Sequence, residues 1–241
     1  MKRAIFSLLF LALLSSSCVI AIAPGDYVGN GKVVTTALPV SGYSVVKNMT
    51  SGQVRLRMGP SRSASVRIDE NLVEYLDIHT DNDALIIALR PGKSLYRYTE
   101  FTVDVTLPSL NEIGVYGSGN ISVLNRFSGR SIVMTDQGSG VISGDFEYDH
   151  ITASILGSGN IKLSGSSDRL DIKIYGSGSV QAPGFTAGEA VVAVNGSGSC
   201  TLRVLDSLDA RIFGSGSVYY YGYPSISITD FGSGDVKQIL R

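Results

Sequence analysis

Ile172-Lys173-Ile174-Tyr175-Gly176-Ser177-Gly178-Ser179-Val180 is the stretch that decides the fold. Apolar side chains occupy every second position on both sides of a Gly-Ser-Gly triplet. That is the period of a strand, in which alternate residues share a face. The triplet recurs at Gly117, Gly138, Gly157, Gly176, Gly196, Gly214 and Gly232, at spacings of 21, 19, 19, 20, 18 and 18 residues. Self-similarity at so short a period marks an architecture of stacked repeats.

Aligning the seven repeats on their first glycine fixes two faces. Four residues after it stand Ile121, Ile142, Ile161, Val180, Cys200, Val218 and Val236. Four before it stand Ile113, Met134, Ala153, Ile172, Val192, Ala210 and Ile228, and two before it Val115, Asp136, Ile155, Ile174, Val194, Ile212 and Asp230. These offsets are even, so this largely apolar set shares one face with both glycines, while the serines share the other. Each repeat reads as strand, glycine corner, strand, then a variable turn such as 125–129 or 165–168. At about 3.3 Å per residue, a repeat traces the chain length of one coil of a β-solenoid. Glycine at both corner positions suits a place where stacked backbones approach too closely for a side chain. A propeller needs repeats about twice as long, collagen needs its triplet period, and a left-handed hexapeptide solenoid needs a strict one. The expected fold is therefore all-β: a right-handed, single-stranded parallel β-helix of the pectin-lyase-like kind.

Upstream, residues 27–110 carry strand signals without the triplet, among them Gln53–Arg57, Ser65–Ile68, Ala84–Ala88 and Phe101–Val105, with one helical turn at Glu70–Leu76. They are expected to form irregular N-terminal coils and a cap, because a solenoid end exposes strand edges. The repeats then occupy 111–241.

The chain opens with Lys2 and Arg3, an apolar run from Ala4 to Leu14, and Ser15-Ser16-Ser17-Cys18. This is the layout of a secretory signal, and the run is too short to span a bilayer. Residues 1–17 are expected to be removed and Cys18 to be lipidated, with 18–26 as the linker. Such an anchor tethers an otherwise soluble domain to the outer membrane, on its periplasmic or cell-surface face. The competing cleavage site follows Ala23, ahead of Pro24. Cys200 has no partner left, so no disulfide framework exists.

The composition agrees. Glycine supplies 28 of 241 residues and proline only 7, so turns rather than a flexible linker are expected. Lys and Arg number 20 against 21 Asp and Glu, which leaves no basic field for nucleic acid.

Gly31-Lys32-Val33-Val34, Val40-Ser41-Gly42-Tyr43, Ile68 to Leu76, Thr106-Leu107-Pro108-Ser109-Leu110 and the Gly-Ser-Gly series together resemble a bacterial domain-of-unknown-function family, the auto-transporter adhesin head GIN domain. The resemblance covers about residues 30–240. It implies a pectin-lyase-like right-handed β-helix, export or lipidation, and adhesion without an established ligand.

Candidate chemistry is sparse. Asp145, Glu147 and Asp149 alternate onto one strand face and are the weak candidates for a calcium site; a solvated acidic turn is the alternative. Asp136 and Asp230 share a repeat position but lie five coils apart. With His79 and His150 as the only histidines, a His-based zinc site or triad is disfavoured. No catalytic residue and no cofactor is expected. A stronger feature precedes each triplet: Tyr116, Gln137, Leu156, Tyr175, Asn195, Phe213 and Phe231. Its odd offset points it outward with the serines, so Tyr116, Tyr175, Phe213 and Phe231 are the candidate partner-binding residues; a ladder packed on itself or under a loop is the alternative. Tyr219-Tyr220-Tyr221-Gly222-Tyr223 extends this aromatic surface. The expected function is a non-enzymatic envelope lipoprotein that binds a glycan or a protein. An envelope scaffold, open to oligomerisation, and a polysaccharide-active β-helix enzyme are the alternatives.

Overall fold

The computed structural model describes residues 26–240. The expected signal segment, Cys18 and the expected linker up to Gly25 lie outside them. Nine strands precede the triplets: β1 (Asp26–Val28), β2 (Val33–Leu38), β3 (Val45–Asn48), β4 (Gln53–Met58), β5 (Ser63–Asp69), β6 (Leu76–Asp81), β7 (Ala84–Leu89), β8 (Ser94–Arg97) and β9 (Phe101–Leu107). A 3-10 turn, Glu70–Tyr75, links β5 to β6. Ten strands carry the series: β10 (Glu112–Val115), β11 (Asn120–Val123), β12 (Phe127–Asp136), β13 (Val141–Ile155), β14 (Asn160–Gly176), β15 (Ser179–Gly196), β16 (Ser199–Gly214), β17 (Ser217–Tyr221), β18 (Ser225–Asp230) and β19 (Asp235–Gln238).

From β10 to β19 every pairing is parallel, and its register joins equivalent repeat positions. Ile113, Met134, Ala153, Ile172, Val192, Ala210 and Ile228 form one ladder. A second ladder runs from Ile121 through Ile142, Ile161, Val180, Cys200 and Val218 to Val236. Both fill the interior of a parallel β-solenoid, and their members are buried in every coil but the last, where Ile228 is 51% exposed. The glycine corners are as tight as their composition requires. A Cβ at Gly138 would fall 1.8 Å from the Gly117 carbonyl oxygen; one at Gly196 would fall 2.5 Å from that of Gly176, on a backbone with φ of 135°.

The segments expected to be variable turns are instead a third strand arm. Phe127, Phe146, Gly165 and Phe185 stand in register, and the three phenylalanines are fully buried. Serines and charged residues between them face outward, so the arm is polar on average while its period of two still fills the core.

The N-terminal coils do not stack in chain order. β3 pairs with both β7 and β10, and β4 with both β9 and β11. The coil formed first therefore lies between the β7/β9 coil and the first triplet coil. Pro108-Ser109-Leu110-Asn111 carries the chain across it, with Leu110 buried and the Asn111 N–H donating to the Ser44 carbonyl. Antiparallel β2, β5 and β9, with β6 on β7, close the outer end. Asp69 is the hub of this cap. Its carboxylate accepts from the Gly31 N–H at 2.7 Å, the Thr99 N–H at 2.7 Å and the Thr99 hydroxyl at 2.9 Å. Burial alone would raise its pKa, but these bonds outweigh it and hold the group below the ordinary range.

Candidate functional site

Because the register repeats, the residue before each corner recurs at one outward position. Tyr175, Asn195 and Phe213 are directly paired, and backbone bonds place Tyr116, Gln137, Leu156 and Phe231 at the same level of their own coils. The four aromatic residues singled out from sequence thus share one column. Tyr175 is 48% exposed and Phe213 44% exposed. Phe213 and Phe231 stack with centroids 5.3 Å apart and planes 17° apart, whereas Tyr116 folds back over Gly114. Met49, half-exposed, extends the column into the N-terminal coil. The triplet does not mark this coil in the sequence, because its corner, Thr50-Ser51-Gly52, lacks the first glycine. The tyrosine run beyond Phe213 divides: Tyr220 packs partly on the core while Tyr223 is exposed.

Charged side chains flank the column and mostly neutralise one another. Asp171 meets both His150 and Arg169 at 2.9 Å, and Arg211 pairs with Asp209. The acidic cluster lies on the third arm, away from the column. Asp145, Glu147 and Asp149 do face outward together, but Arg126 from the neighbouring coil bridges Asp145 at 3.0 Å and Glu147 at 2.9 Å. Glu147 and Asp149 line a cavity of about 600 Å³ with Asp168 and Asp206. Among the described residues, no group of three or more His, Cys, Asp or Glu side chains is placed to hold a metal ion.

The remaining ionisable candidates are structural. Asp136 is buried and accepts the Gly138 N–H at 2.9 Å. Burial pushes its pKa up, and that bond offsets part of the rise. Asp230 is exposed. Burial likewise raises the Cys200 thiol and disfavours the thiolate needed for nucleophilic chemistry.

Residues 42–224 match the model described as "Putative auto-transporter adhesin, head GIN domain", and the chain belongs to that family. Among solved structures it is similar to a "putative adhesin" of Bacteroides fragilis NCTC 9343, at 21% identity and a TM-score of 0.84, covering 88% of this chain and 100% of that one. It is also similar to a "putative lipid binding protein" of Parabacteroides distasonis ATCC 8503, at 27% identity and a TM-score of 0.78, covering 89% and 100%. A "putative adhesin" of the same strain matches at 24% and 0.73, with coverage of 89% and 100%. No curated protein matches the sequence. Among the described residues, no helix is long and apolar enough to cross a membrane.

Proposed function

We propose that this protein is a non-enzymatic binding module of the bacterial cell envelope, tethered through lipidated Cys18, that engages a glycan or protein through the column of Tyr116, Tyr175, Phe213 and Phe231. One observation carries the reading: three of these rings, Tyr175, Phe213 and Phe231, recur at a single outward position and remain exposed, where a folding role would bury them. The adhesin family supports a surface partner. Tyr175→Ala combined with Phe213→Ala is expected to leave the circular dichroism spectrum unchanged and to weaken binding about tenfold or more on a glycan and cell-surface array. Unchanged binding to every ligand would refute the column. For the anchor, mass spectrometry of the membrane-extracted protein is expected to find a lipidated N-terminal Cys18; a mature terminus at Pro24 would overturn it.

A scaffold role is the second reading. It is favoured by β18 and β19, each of which pairs with a single strand among those described, and by exposed Ile226 and Ile228.

A further inference from the structure

Two coils carry the same outward order of acid, base and aromatic ring: Asp171, Lys173 and Tyr175 on one, Asp209, Arg211 and Phe213 on the other. The coil between them offers only Val191, Ala193 and Asn195 at those positions. Register pairs Asp171 with Val191 and Val191 in turn with Asp209, Lys173 with Ala193 and Ala193 with Arg211, and Tyr175 with Asn195 and Asn195 with Phe213. Small side chains thus floor a trough between two taller walls, which stand two strand spacings apart, roughly 9.6 Å. The trough encloses about 490 Å³ over Val191 and Ala193.

The groups lining it differ in what they already hold. Arg211 is engaged by Asp209, and Arg169 divides its guanidinium between Asp171 and, at 3.7 Å, Glu189. By contrast, the Lys173 ammonium, the Asn195 amide and the Tyr175 hydroxyl have no hydrogen-bond or ion-pair partner among the described residues. Phe231 covers one face of Phe213, and the coil on the opposite side of Phe213 carries Asn195 at the paired position. Next to this volume the register continues with Tyr175, Asn195 and Phe213, so two aromatic side chains stand two strand spacings apart with an amide between them, and the uncommitted Lys173 lies two residues before Tyr175.

We infer that this trough binds an anionic saccharide, with a pyranose ring held between Tyr175 and Phe213 over Asn195 and its carboxylate or sulfate against Lys173. A sugar is apolar on its C–H face and polar around its edge, which matches stacked rings beside an amide and a hydroxyl. A neutral sugar leaves Lys173 idle, and an acidic peptide leaves the paired rings without a matching flat face. The inference rests on reading the aromatic column as a binding surface and adds to it the class of ligand.

The test measures binding of the full chain in detergent to polygalacturonate, dextran sulfate, neutral dextran and polyglutamate, with Lys173→Ala, Lys173→Arg and the Tyr175→Ala/Phe213→Ala double variant. The expected result is binding to one or both anionic polysaccharides and to neither control. Lys173→Ala should weaken it about tenfold, Lys173→Arg should restore it, and the double variant should abolish it. Equal affinity for polyglutamate, or binding to neither anionic polysaccharide, would overturn the anionic-saccharide assignment. Binding to neutral dextran that Lys173→Ala leaves unchanged and the double variant destroys would also overturn it, yet would uphold the column. Full binding by the double variant would overturn the column itself.

Discussion

The solenoid makes the same corner in two ways. In the triplet coils two glycines turn the chain. In the coil of β3 and β4, Asn48-Met49-Thr50-Ser51-Gly52 turns it at the same level, beneath Val115 to Gly119. There the Asn48 amide donates to the Gly52 carbonyl at 2.9 Å and accepts from the Thr50 N–H at 3.0 Å and the Thr50 hydroxyl at 2.8 Å, and that hydroxyl accepts from the Gly52 N–H at 3.0 Å. Thr50 fits where Gly117 is required above it because the chain beneath takes another route: from β7 it leaves through β8 and returns at β9. A Cβ at Gly117 would lie 2.5 Å from the Thr50 carbonyl oxygen. At Gly117 the glycine is therefore demanded by the neighbouring coil and not by the turn, which side-chain hydrogen bonds serve equally well, whereas at Gly176, Gly196 and Gly214 a positive φ adds a demand of the turn itself.

The sharpest way to break this comparison is to add one methyl group to a stacked corner. Gly138→Ala is expected to cost about 4 kcal/mol or to prevent folding, since rigid backbone oxygen stands in the way; thermal melts would read the loss. A corner that accepted alanine with little change in melting temperature would remove the stacking explanation. Asn48→Ala comes next, at about 2–3 kcal/mol, because it strips a buried corner of its bonds without creating a clash. A loss below about 0.5 kcal/mol would mean that glycine and serine turn that corner unaided.

The smallest effect concerns Asp136, which occupies in its coil the position Asn48 holds two coils earlier. Its folded-state pKa is raised by burial, so its ionised form is penalised in the native state. The penalty is absent below the unfolded carboxyl pKa of about 3.9 and develops as pH rises through the folded value. Asp136→Asn keeps an acceptor for the Gly138 N–H without the charge. It should raise the melting temperature at pH 7, by under about 1 kcal/mol of stability, and bring no gain at pH 3. A gain of equal size at both pH values would exclude the charge as its cause.

Much of this was legible in the sequence. The triplet spacing and the alternating offsets fixed which residues of each coil face inward, and the odd offset before the triplet located the aromatic column. The third arm was hidden because Phe127-Ser128-Gly129 and Gly165-Ser166-Ser167 look like turns when taken one coil at a time; only the stacked phenylalanines expose the strand. The final coil departs from the pattern for another reason. Ile228 has the right offset, but burial comes from a coil on each side, and none of the described strands lies beyond it. Lys173 gave no signal, since an unpaired cation is defined by neighbours that the register brings together from other coils.

The displaced first coil bears on how such a molecule is assembled. β3 waits for β7, 39 residues onward at Ala84, and for β10, 67 residues onward at Glu112, before either of its edges is covered. Later coils each wait about twenty residues for the next. Long loops must close before the seed exists, and short ones suffice to extend it. Growth should then run in one direction, like a filament elongating from a nucleus, so that coils removed from the C-terminal side leave a shorter solenoid intact. Deletion of residues 45–58 would instead uncover the edges of β10 and β11 and part them from β7 and β9, so the triplet coils would have to start on their own.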